Sequence, residues 1–191
     1  MPFEALQMQT VPGPLSLAEP ASVGVLGYAG IAADELALPF RWLASRSRDG
    51  HAAFEVALVA PKPGELGLAG GMAVRPDHVL DARTPGFDLL VVPGGFLYAM
   101  AFGSPDSVGA LVNAVRRAGQ VLVVARLARD ARRAHMLLRA ASTLSIGTFW
   151  DMVGTRHASD RTTVIADGHV TWAIGDDAVS DGLDRIVGEE R

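Results

Sequence analysis

The chain has 191 residues, of which 49% are hydrophobic and 20% charged, with a formal net charge of −4 and no cysteine. A chain this long can bury roughly 70% of its unfolded surface in one domain without a staple. Its acidic balance offers no general footprint for nucleic acid, and the missing thiols exclude disulfides, thiolate metal sites and cysteine nucleophiles.

Residues 1–20 carry Pro2, Pro12 and Pro14 before Pro20 and show no periodicity, so they are expected to form an arm ahead of one domain spanning 21–191. The start has neither a basic nor an apolar leader segment, and no apolar run approaches the roughly 20 residues of a membrane span. A cytoplasmic chain without a membrane or nucleic-acid partner is expected.

Val23 to Tyr28 reads as a short buried strand bounded by glycine. Asp34 to Ser47 has helical spacing, with Leu36, Phe40 and Leu43 on one face. A second strand, Phe54 to Ala60, ends at Pro61-Lys62-Pro63-Gly64, and residues 65–81, with Gly67, Gly70 and Gly71, suggest a small hairpin. Asp88 to Gly95 (DLLVVPGG) is a continuous apolar run, the mark of a strand covered on both faces in a parallel sheet.

Ser107 to Ala118 is read as a helix stopped by Gly119, and Gln120 to Ala125 as another doubly buried strand. Leu127 to Ala141 is read as a helix with Leu127, Ala131, Ala134 and Leu138 inside, and with arginines and a solvated His135 outside. Arg116, Arg117, Arg126, Arg129, Arg132, Arg133 and Arg139 crowd this quarter and read as a solvated face. Thr162 to Ala166 and His169 to Trp172 flank Asp167-Gly168, a turn signal for a hairpin, and a last helix runs from about Ala178 to Gly188.

Strands alternating with helices give a doubly wound α/β protein: a mostly parallel sheet with helices on both faces. In such sheets ligands sit beyond the carboxyl ends of the strands, which groups Gly27–Gly30, Gly94–Tyr98 and Ala125–Arg129 around one crevice. The five histidines are scattered, and there is no GxGxxG or Walker loop. No metal or cofactor is expected.

Four pieces in order then resemble the ThiJ/PfpI superfamily, which has the class I glutamine amidotransferase-like fold. They are Gly30 to Pro39 with its acidic residue four positions before the proline, the glycine-flanked Gly64 and Gly70-Gly71, Asp88 to Gly95, and Asp167-Gly168-His169-Val170 with Gly182-Leu183-Asp184. In pattern they are most similar to isocyanide hydratases and to sensor halves of AraC-type regulators. The resemblance implies a flavodoxin-like three-layer sandwich, a homodimer and a site built for a small-molecule ligand.

The family's cysteine, on the turn after the strand that follows VPGG, is missing. The turn here reads Ala125-Arg126-Leu127-Ala128-Arg129, with Ala125 or Arg126 favoured as the equivalent position. The family's Thr-His-Trp appears as Thr148-Phe149-Trp150, so Phe149 stands for the histidine. Thiol-dependent protease, thioester and deglycase chemistry is thereby excluded.

Glu35 matches the family's acidic position and is the candidate catalytic residue, a carboxyl able to shuttle protons when desolvated. The plainer reading makes it a helix cap or an ion-pair partner of Arg126. Gly94 and Gly95 are candidates to present backbone N–H groups to an oxyanion, or are only a tight turn. Phe96, Tyr98, Arg126, Phe149 and Trp150 complete the candidate substrate-binding set, with aromatics at strand ends often being plain core. His157 is a candidate substitute for the lost histidine, or a loop residue.

Two functional classes follow. One is a cofactor-independent enzyme that uses Glu35 to hydrate, dehydrate, isomerise or cyclise a small neutral or anionic molecule. The other is a non-catalytic ligand-binding protein. A regulator's sensor half is disfavoured, since no helix-turn-helix follows.

Overall fold

A computed structural model describes residues 15, 20–48, 51–81, 84, 86–94, 105–139, 142, 144–156 and 162–188. The chain opens with strand β1 (Ala21–Leu26), helix α1 (Ala33–Ala44), a small pair β2 (Ser47–Arg48) and β3 (His51–Ala52), and strand β4 (Phe54–Ala60). Next come the hairpin β5 (Leu66–Gly67) and β6 (Ala73–Val74), β7 (His78–Val79), β8 (Leu89–Gly94), α2 (Pro105–Arg117), β9 (Gln120–Ala125) and α3 (Ala128–Leu138). Helix α4 (Ile146–Arg156), the hairpin β10 (Thr163–Asp167) and β11 (Val170–Ile174), and α5 (Ala178–Val187) complete the order.

Seven strands form one sheet in the order β10-β11-β9-β8-β1-β4-β7. Every neighbouring pair is parallel except β10 with β11. Setting aside the two-residue edge strand β7, the parallel strands β4-β1-β8-β9-β11 follow the flavodoxin-like order 2-1-3-4-5. Connections leave β1 toward one side and β8 toward the other, so the sheet opens a crevice between the carboxyl ends of these two strands.

The apolar runs form strands because both faces are covered. Leu89 to Val92 are fully buried, and β9 is buried along its whole length. On one face α5 closes on the sheet at Gly182, where an added Cβ would lie 2.5 Å from Leu122 Cδ1 and 3.1 Å from the Ala173 Cβ. Trp172, one residue before Ala173 and therefore on the opposite face, packs against His135 of α3 and Phe149 of α4. Leu15 ties the arm to the domain, its N–H donating to the Ile186 carbonyl at 3.1 Å. The rest of residues 1–19 lie outside the described residues.

Several sequence expectations need correction. His135, expected in solvent, is fully buried. Ala131, Ala134, His135 and Leu138 all face inward, which is i, i+3, i+4, i+7 spacing. Leu127, expected inside, is the N-cap of α3 and 43% exposed. In the β10–β11 hairpin Asp167 pairs with Val170, so the two-residue turn is Gly168-His169, with Gly168 at φ 60°. Gly119 does end α2, but by close approach: a Cβ there would sit 3.0 Å from the Asp88 carbonyl oxygen. Helix α4 and strand β7 were not anticipated.

Candidate functional site

The loop after β1 delivers Glu35. Gly30 adopts φ 83°, a left-handed conformation that favours glycine. Its N–H donates to the Gly67 carbonyl at 2.8 Å, while the Ala69 N–H donates to the Ile31 carbonyl at 2.9 Å. The β5–β6 hairpin thus clamps the loop and fixes where α1 begins. Ala32 is the N-cap, in an extended conformation and with no side-chain cap of its own. Glu35 falls at the third helical position, where its carboxylate accepts a hydrogen bond from the Ala32 backbone N–H, one half of a capping box.

Glu35 is half-buried and lines a cavity of about 250 Å³ together with Asp34, Leu38, Pro93, Val124 and Arg126; residues 175, 176, 178 and 179 close its other side. This is the crevice that the strand order creates, with α1 from the end of β1, Pro93 from β8, and Val124 and Arg126 from β9 and the turn after it. The loop after β11 contributes the far wall, and the Gly175 N–H holds it to the Ala125 carbonyl at 2.9 Å.

The Glu35 carboxyl is pushed above its ordinary value of 4.5, chiefly by desolvation. Repulsion from Asp34 and Asp130 adds to the rise, and the Arg126 guanidinium and the Ala32 N–H oppose it. Desolvation outweighs the usual preference of a helix N-terminus for a charged carboxylate. Arg126 also reaches Asp176 at 3.7 Å. Both side chains are mostly exposed, and such a pair contributes little to stability.

Of the sequence candidates, the structure brings Glu35 and Arg126 to one cavity, with Pro93, next to Gly94, on its wall. Gly94 is the last residue of β8 and pairs with Ala125. Gly95, Phe96, Tyr98 and His157 lie outside the described residues. Phe149 and Trp150 sit elsewhere. Phe149 is fully buried and stacked on His135 at 4.1 Å, and Trp150 is 39% exposed with the Arg132 guanidinium 5.5 Å from its ring.

Sequence reasoning missed Asp176, Ala178 and Val179. The strand-end rule that grouped the other segments reaches them once β11 is seen to be parallel to β9. It also missed a buried polar cluster on the opposite face. There, the His135 Nε2 lies 3.0 Å from Ser142 Oγ, and that hydroxyl donates to Asp167. Burial pushes the His135 imidazole below its ordinary value, against the pull of Asp167 and the Leu144 backbone. Among the described residues, no three metal-ligating side chains come together, and no helix is long and apolar enough to cross a membrane.

A mostly parallel α/β sheet in this strand order, with a cavity at its switch point, defines the flavodoxin-like class of folds. Within that class the chain belongs to the DJ-1/PfpI family, whose sequence model matches residues 21–180. Among solved structures, it is similar to a ThiJ/PfpI family protein from Pseudomonas syringae, at 18% identity and a TM-score of 0.65 over 99% of this chain and 75% of that one. A cysteine-to-alanine mutant of a DJ-1 superfamily protein from Salmonella typhimurium gives 20% identity and a TM-score of 0.60 over 88% and 91%. Drosophila melanogaster DJ-1beta gives 18% and 0.60 over 90% of each chain. At these identities the likeness speaks for the fold alone. No curated protein matches the sequence. The chain itself has no cysteine, and the residue that follows β9 and lines the cavity is Arg126.

Proposed function

We propose that this chain is a cofactor-independent lyase- or isomerase-type enzyme. In this reading Glu35 serves in turn as general acid and general base on a small organic substrate, in a hydration, dehydration, isomerisation or cyclisation. The observation that carries the reading is a half-buried carboxyl, raised by desolvation, in the wall of a cavity at the sheet's switch point. A carboxyl so raised holds a proton closer to neutral pH and can both give and take it within one turnover.

Among the described residues the lining contains no serine, threonine, histidine or lysine, and its titrating carboxyls favour proton transfer over acyl chemistry at a hydroxyl or amine. The same lack favours the second reading, a binding protein that does not turn over its ligand.

Deuterium separates the two. An enzyme that works by proton transfer washes solvent deuterium into substrate or product. Small hydroxy, carbonyl and unsaturated compounds, incubated with the protein in D2O and followed by NMR, are expected to yield at least one that exchanges with wild type and not with Glu35→Gln. Compounds that bind at Glu35 while none exchanges would replace the enzyme with the binding protein.

Two-fold pairing of chains belongs to the same reading. It is supported by the commonness of isologous two-fold dimers among oligomers. Light scattering at micromolar concentration should give about twice the 20.0 kDa chain mass. A value near the chain mass itself refutes the pairing.

A further inference from the structure

The Glu35 cavity does not end at Leu38. A second, larger cleft of about 630 Å³ runs on between α1 and α5, sharing Leu38, Asp176 and Val179 with the first and reaching Arg41, Trp42, Asp177 and Ser180. One ligand can therefore occupy both. The apolar part of the lining runs from Leu38 and Val179, common to both, to the Trp42 ring in the second. Trp42 is braced: the Arg46 guanidinium lies 4.3 Å from its ring centroid and is anchored to Asp184 at 3.2 Å. A wall held in this way is shaped before a ligand arrives, which lowers the entropy lost on binding.

The charges along this path are unequal. Asp34, Glu35, Asp176 and Asp177 line it against Arg41 and Arg126, and Arg126 is drawn to Asp176. Asp130, 7% exposed behind the site, also raises Glu35, with Arg129 at 4.0 Å and Arg133 at 3.8 Å from its carboxylate offsetting part of its charge. Clefts lined with one sign of charge concentrate ligands of the other sign.

We propose that the cleft between α1 and α5 takes an elongated apolar amine, its reacting end at Glu35 and its body lying over Leu38, Val179 and Trp42. This rests on the reading of Glu35 as the reacting group, and it replaces the neutral or anionic substrate that the sequence suggests with a cationic one.

Phenylbutylamine and phenylbutyrate share a body and differ in the charge of the head, so their affinities at pH 7 isolate the preference. The amine is expected to bind at least about tenfold tighter, with the difference shrinking in about 0.5 M salt as screening sets in. Asp176→Asn combined with Asp177→Asn should reduce the preference several-fold. Asp177 makes no side-chain cap hydrogen bond, so α5 loses none. Trp42→Ala should weaken phenylbutylamine several-fold and leave butylamine unchanged.

Equal or tighter binding of the carboxylate overturns the proposal, as does binding of neither probe. If amines fail while Glu35-dependent deuterium exchange is seen on other compounds, the ligand class falls and the acid/base reading stands. If amines bind in the cleft and nothing exchanges, the enzyme falls and the ligand class stands.

Discussion

Glu35→Gln is expected to lower turnover by about 10²–10⁴, far more than the several-fold loss of ligand affinity that follows from removing one charge from the cleft. The substitution keeps the size of the side chain and an oxygen to accept the Ala32 N–H, and it removes only the titrating proton. Its effect on stability should run the other way. The carboxyl is raised above 4.5 in the folded chain, so between that value and the raised one the folded state holds more protons than the unfolded state. Stability therefore falls as pH rises through that window and stays reduced above it. Glutamine does not titrate, so the variant should melt higher than wild type at pH 7 to 8, with the advantage vanishing as pH drops toward 4.5. Melting curves and turnover on the same samples check both halves. A lower melting point with unchanged turnover makes Glu35 a helix-capping residue and ends the catalytic reading.

Trp172→Ala should be the more damaging change to the fold, at a cost of about 3–5 kcal/mol. Trp172 is fully buried in the sheet and meets Phe149 edge-on at 4.9 Å and His135 at 5.4 Å. Alanine leaves a void under both α3 and α4. Trp172→Phe should cost less than half as much, because the ring contact survives and the indole N–H, buried without a hydrogen-bond partner among the described residues, is removed. Urea denaturation with an unchanged slope reads the difference directly. Similar losses for both variants would mean that the ring kept by phenylalanine contributes nothing, and that the whole indole is what this layer requires.

The sheet was legible because its strands advertise themselves. Runs such as Leu89 to Val92 and Gln120 to Ala125 have no polar alternation, and only a doubly covered parallel strand accommodates that. The place of Glu35 was legible through the loop and the Gly30-to-Pro39 pattern. What the sequence hid was hidden by composition. Arginines at 129, 132, 133 and 139 made His135 look solvated, although 131, 134 and 138, already read as inward, mark a stripe that contains it. The Thr-Phe-Trp segment suggested a site aromatic, whereas Phe149 is spent on stacking against that histidine. The far wall of the cavity was missed for a different reason. Asp176 comes from the loop after β11 and Val179 from the start of α5, and nothing local to a hairpin signal reveals that its second strand will run parallel to β9.

The two edges of the sheet are unequal, and this bears on how chains can associate. At one edge β7 is only two residues long, and just before it the Asp77 carboxylate accepts the Leu58 N–H at 2.8 Å, occupying a β4 donor that a visiting strand would need. At the other edge β10 presents five residues, Thr163 to Asp167. Open-ended stacking of chains by strand addition requires two receptive edges on each molecule. With a single receptive edge, strand-to-strand association can join two molecules back to back and then has nowhere to grow. A short, blocked β7 therefore guards the protein against filaments.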